Sequence, residues 1–109
     1  MDVDIDIKQR RTVRCPHCGE IVGVRDVCVE NSGGRMWYPF LEAVGYYVDY
    51  DKRTEENDWY CKDMVLNKEQ TDLLFRYCRS EEVYNSDAIA TMVAVAEVEG
   101  DDVVINANW

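Results

Sequence analysis

Cys15-Pro16-His17-Cys18-Gly19 is the stretch of this chain whose residue types and spacing point most directly to chemistry. Two thiolates three positions apart across a tight turn can bind one zinc ion at about 2.3 Å each. Pro16 stiffens such a turn, and Gly19 permits the positive φ at which backbone N–H groups approach the sulfurs. The pattern is the knuckle half of a zinc ribbon. A redox pair also uses C-x-x-C, but it lies between a strand and a helix, whereas Ile21–Val24 reads as strand.

A closed structural zinc site takes four ligands, and no second C-x-x-C follows. Cys28 lies between Val27 and Val29 in a strand-like run, so its side chain faces opposite theirs and can reach back towards the knuckle. Cys61 follows the turn-like Asn57-Asp58-Trp59-Tyr60, where ligands are readily presented. The expected metal set is Cys15, Cys18, Cys28 and Cys61, with His17 next in order. Cys78 sits beside Leu74 on an apolar helix face and reads as a buried free thiol. Such a zinc is structural and contributes on the order of 10 kcal/mol to folding. Five cysteines cannot all pair within one chain, and no apolar leader is visible behind the N-terminal MDVDIDIKQRR, so reduced thiols are expected.

Other constellations are missing. One histidine excludes a His-rich cluster, no H-E-x-x-H or H-x-E pattern occurs, and neither Gly-rich phosphate loop is present. Pairs such as Glu55–Glu56 or Asp101–Asp102 are the pattern of a solvated face. The expectation is a protein that is not an enzyme.

Charge is the second signal. Acids outnumber bases 22 to 12 for a net −10 across 109 residues, which argues against gripping nucleic acid. Residues 1–35 balance, so the whole excess lies in 36–109. After Arg79 no Lys or Arg occurs, while Glu81, Glu82, Glu97, Glu99, Asp101 and Asp102 accumulate. Solubility alone accounts for such a balance in many proteins; the functional reading is a negative field offered to a basic protein surface. Tyr47 and Tyr50, beside Asp49 and Asp51, are the aromatic residues placed at that interface. No apolar run approaches the roughly 20 residues that span a bilayer, so a soluble, cytosolic monomer without a membrane contact is expected.

The elements that must carry these residues follow from periodicity. Asp2–Ile7 alternates, with Val3, Ile5 and Ile7 on one side, and reads as a half-buried strand. Glu20–Val24 and Val27–Glu30 read as short strands, and Asn31-Ser32-Gly33-Gly34 as a turn. A turn or short helix spans Pro39–Val44, with a strand at Tyr46–Tyr50. Asn67 and Gln70 make a capping box ahead of a helix carrying Leu73, Leu74, Tyr77 and Cys78 on one face. A second helix opens at Ser86 or Asp87 and stops at Gly100, with Ile89, Met92, Val93 and Ala96 inward. Val103–Ile105 closes as strand. The fold class is α+β in a single domain, 1–109: a small, mostly antiparallel sheet with two C-terminal helices on one face and an N-terminal zinc-knuckle hairpin. Residues 1–35 hold the knuckle and first strands, and 36–109 form the acidic body.

Cys15-Pro16-His17-Cys18, Trp37–Tyr50, Asn57–Met64 and Val103–Trp109, in a short acidic chain, resemble small phage-encoded, zinc-containing type II-A anti-CRISPR inhibitors. That resemblance implies an inhibitor in the bacterial host cytoplasm. It would bind the basic recognition surface of an RNA-guided CRISPR nuclease and block loading of target DNA, without touching nucleic acid itself. The positively charged channels of such a nuclease suit an acidic occupant. The other reading is a structural or regulatory zinc-ribbon-like interaction module that makes its contacts through the knuckle and the neutral half of the chain.

Overall fold

The alternation that begins at Val3 runs much further than its first three apolar residues. In the computed structural model, which describes residues 2–109, strand β1 spans Asp4–Arg14 and β2 spans Ile21–Gly33. Helix α1 (Tyr38–Ala43) follows, then β3 (Met64–Val65), α2 (Lys68–Ser80), α3 (Ser86–Glu99) and β4 (Asp102–Asn108). The four strands form one sheet in the order β2-β1-β4-β3, antiparallel throughout.

One face of this sheet is apolar. Val3, Ile5 and Ile7 from β1 and its approach share it with Val103, Ile105 and Ala107 of β4, all buried. Helix α3 lies on that face, burying Ile89, Met92, Val93 and Ala96, and α2 packs along α3 through Leu74 and Cys78. The other face is polar and hydrogen-bonded. Asn31 donates to Asp4 at 2.8 Å and Asp6 at 2.9 Å, and Asp63 accepts from Lys8, Arg10 and Asn106.

α2 starts and α3 stops where local chemistry requires. The Asn67 side chain accepts from the Gln70 N–H at 2.8 Å while the Gln70 side chain accepts from the Asn67 N–H at 2.9 Å. Gly100 takes a left-handed φ of 72° after α3, and the Asp101 N–H returns to the Ala96 carbonyl at 2.8 Å, a Schellman closure.

Three expectations need correction. The two short strands are one 13-residue strand, bent by irregularities where Val27 and Val22 lack partners in register. Asn31-Ser32-Gly33 is its last part rather than a turn: Ser32 is buried and accepts a 2.9 Å bond from the Trp37 indole, and only Gly34 turns, at φ 110°. Tyr46–Tyr50 forms no strand. Gly45 at φ 78° redirects the chain, and the Tyr46 hydroxyl is drawn inward, donating to the Lys62 carbonyl at 2.7 Å and accepting from the Ala107 N–H at 2.8 Å. Tyr50–Lys52 makes a single 3-10 turn instead.

Gly33 has a steric reason to be glycine. A Cβ there would stand 2.7 Å from the Val3 carbonyl oxygen, a backbone atom that cannot swing away. Gly33→Ala is expected to cost about 1–3 kcal/mol in thermal or chemical denaturation. Gly23→Ala, with open space at its Cβ, should stay within about 0.5 kcal/mol of the parent.

Candidate interaction site: a projecting arm and an acidic body

β1 pairs with β4 only as far as Arg10, opposite Asp102, whereas it pairs with β2 as far as Arg14, opposite Ile21. Past Arg10 the hairpin is therefore a two-stranded arm leaving the sheet, which contributes to overall extents of 49 × 33 × 21 Å. No helix covers it. Ile21, Val22 and Val24 are 60–65% exposed, and β2 has no neighbour on its outer edge among the described residues. An open edge with exposed apolar side chains is a template for a partner.

Cys15-Pro16-His17-Cys18-Gly19 forms the tip of this arm. The Gly19 N–H returns to the Cys15 carbonyl at 2.9 Å, the Cys15 N–H donates to the Glu20 carbonyl at 2.8 Å, and Gly19 adopts φ 74°. Backbone N–H groups of Cys18 and His17, with a smaller contribution from the Cys18 side chain, hold the Cys15 thiol below its ordinary pKa.

The other expected ligands lie elsewhere. Cys28 is seven residues from Ile21, roughly 20 Å from the tip at about 3.3 Å per residue, and packs against the core. Burial and the neighbouring Glu30 carboxylate raise its pKa. The Cys61 N–H donates to Ala107, which pairs with Ile5, so Cys61 lies roughly 30 Å from Arg14 along β1 at the same rise. Among the described residues no group of three or more His, Cys, Asp or Glu side chains is placed to hold a metal ion. Cys15 and Cys18 are adjacent; Cys28 and Cys61 do not join them. The reason is register: seven extended residues separate Cys28 from the hairpin tip. Cys78 is buried in α2, and desolvation raises its thiol to about 11.

Not all of the acidic residues are free. Asp101 is a structural clasp. Arg11 donates two bonds to it at 3.0 and 2.8 Å and buried Gln9 a third at 2.7 Å, which together hold its carboxyl below the usual range and leave its side chain 4% exposed. This ties the root of the arm to the end of α3 and removes Asp101 from any contact surface. Sequence reasoning missed Gln9 and Arg11, although the period-two stripe Val3, Ile5, Ile7 continues to Gln9, where a polar residue in an apolar row is the signal. Glu99 approaches Arg11 at 3.9 Å but stays exposed. Glu81, Glu82, Glu97 and Asp102 have no Lys or Arg within 4 Å among the described residues; the last three are exposed and Glu81 is half-buried.

A second feature lies on the α2–α3 face. α3 is apolar on its outward side too, with Val95 44% and Val98 85% exposed, and with Phe75 of α2 these line an open groove of about 580 Å³. Asp87, Arg79 and Glu99 also line it, and Glu97 and Asp72 border the adjoining depression. A helix apolar on every side is incompletely covered when one side faces water. The expected aromatic contacts divide in the same way. Tyr47 is half-buried, edge-on to Trp109 at 5.0 Å and Tyr38 at 5.1 Å, with the Arg53 guanidinium over its ring at 5.8 Å. Tyr50, flanked by exposed Asp49 and Asp51, is 87% exposed and available.

No helix among the described residues is long and apolar enough to cross a membrane. Comparison with protein-family models, curated proteins and solved structures finds no match to this chain.

Two measurements check this arrangement. Limited alkylation with iodoacetamide near neutral pH should modify Cys15 well before Cys28 and leave Cys78 intact until unfolding. Equal rates at Cys15 and Cys28 would contradict the placement. The second concerns acid. Asn106 and Arg10 lower Asp63 from 3.8 to about 2, and Asp101 is lowered mainly by Arg11. Because both titrate lower when folded, their stabilisation is complete above the ordinary carboxylate pKa and is lost as pH falls below it, for Asp63 between 3.8 and about 2. Asp63→Asn should flatten the pH dependence of stability across that window.

Proposed function

We propose that this chain is a non-enzymatic protein-interaction module whose α2–α3 face receives a basic protein surface. The observation that carries the reading is Val98, largely exposed between the carboxylates of Glu97 and Glu99 beside an open apolar groove. An apolar floor supplies contact area, and the surplus of acids over bases lining the groove itself, Asp87 and Glu99 against Arg79, orients and accelerates approach. Glu81, Glu82 and Asp102, together with Tyr50, Asp49 and Asp51, extend the same chemistry over the body.

The specific form favoured by the resemblance is inhibition of an RNA-guided DNA nuclease. Such an enzyme holds nucleic acid in positively charged channels, and an acidic protein seated there keeps target DNA out by occupancy and repulsion. The arm tip supports the zinc-ribbon-like part of the reading. Cys15 and Cys18 are the thiolates that would hold zinc, and a bound ion would rigidify the turn.

The test is loading of target DNA onto a type II effector complex in the presence of this chain. Loading should fall, and the inhibition should weaken as salt rises from low to physiological ionic strength. Reversing Glu97 and Glu99 to Lys should lower the association rate by about tenfold or more, with α3 helicity unchanged. Undisturbed loading would dismiss the nuclease. Inhibition indifferent to both salt and charge reversal would dismiss the acidic face.

A further inference from the structure

The tip of the arm offers two thiolates, half of a metal site, and among the described residues no further cysteine stands beside them. Cys15 and Cys18 sit together, whereas Cys28, Cys61 and Cys78 are held along β2, beside β4 and inside α2. A structural zinc ion closes its shell with four ligands, and four thiolates is a common set. Two tips satisfy that count. We propose that the metal site of this protein is intermolecular: one zinc ion held by Cys15 and Cys18 of two copies of the chain, joined tip to tip about a two-fold axis.

Three observations favour a second copy as the source of the missing ligands. The first is access. The arm projects beyond β4, so two tips can meet without the helices or the bodies colliding. The second is charge. The excess of acids lies entirely in residues 36–109, and tip-to-tip contact keeps those two bodies as far apart as the molecule allows. The zinc tetrathiolate is itself a dianion, and Arg14, next to Cys15, has no carboxylate within 4 Å among the described residues. One Arg14 from each copy offsets it. The third is the apolar surface. Ile21, Val22 and Val24 stand beside the tip with no cover, and an isologous junction lets each copy shield the other's. Side-by-side pairing of two β2 edges in antiparallel register would instead carry the tips to opposite ends and leave both half-sites open.

The inference rests on zinc being the metal of the Cys15–Cys18 pair and replaces the expected monomer by a metal-dependent dimer. It is independent of what the α2–α3 face binds. The experiment is zinc titration of the full chain under reducing conditions, read by native mass spectrometry and by light scattering after gel filtration. One zinc per two chains is expected, with the mass doubling as metal is added and returning to that of one chain with a chelator. Cobalt in place of zinc should give the visible spectrum of a tetrahedral tetrathiolate at the same stoichiometry. Cys15→Ser and Cys18→Ser should each abolish the dimer while leaving far-ultraviolet circular dichroism unchanged, since the tip lies outside the core. Cys28→Ser and Cys61→Ser should leave metal uptake and dimer intact. One zinc per chain in a monomer would overturn the intermolecular site but keep zinc. No uptake would overturn both, and a dimer equally stable without metal would show that the junction lies elsewhere.

Discussion

The contact on which the rest of this structure depends is the clasp of Asp101 by Arg11 and Gln9. It joins three things that sequence distance keeps apart: the last turn of α3, the first residue before β4 and the root of the arm. Gly100 sets it up. Its left-handed turn closes α3 and aims Asp101 back across β1, where two guanidinium bonds and one amide bond receive it. A buried amide at Gln9 and a nearly buried carboxylate at Asp101 would each be costly alone; paired, they satisfy one another. Because the clasp lies at the margin where β4 begins, the arm beyond it is free of β4, and β1 before it is sheet.

That division gives the molecule two ends of opposite character. Behind the clasp, an aromatic cluster of Tyr46, Tyr47, Trp59, Tyr60 and Trp109 seals one side of the body, and Trp37, Phe40 of α1 and Tyr77 of α2 pack against one another. Its outer surface is acidic. Ahead of the clasp, the arm carries arginines, exposed valines and a pair of thiols. The polar face of the sheet lies between them, where Asp63 gathers Lys8, Arg10 and Asn106, and Arg10 also reaches Asp26 at 2.9 Å. Opposite charges are thus consumed near the sheet, and the acids without a Lys or Arg within 4 Å among the described residues include Asp87 and Glu97 of α3. The two features able to engage a partner are the thiols at the tip of the arm and the apolar groove on the α2–α3 face, whose Glu99 reaches Arg11 at the arm's root.

Much of this was legible in advance wherever one element's own residues decide its conformation. The stripe Val3, Ile5, Ile7, the Asn67–Gln70 box, the stop at Gly100 and the inward set Ile89, Met92, Val93, Ala96 are all where periodicity and capping place them. Local rules failed where a distant partner intervened. Asn31-Ser32-Gly33 has turn composition, but Asp4 and Asp6 across the ladder hold Asn31 in a strand. Tyr46–Tyr50 alternates like a strand, but the Tyr46 hydroxyl meets Lys62 and Ala107 and turns the segment inward. The outward apolar side of α3 is written in Val95 and Val98, apolar residues that fall off the inward set.

From sequence alone came the fold class, the helix limits, the acidic bias and the two-thiolate motif, because each is set by neighbours within a few positions along the chain. Tertiary structure alone decided how far β1 outruns β4, which acids are neutralised, and that Cys28 and Cys61 stand some 20–30 Å from the thiols they were expected to join. Those outcomes depend on strand register, and register is settled by cross-strand partners that no local pattern encodes.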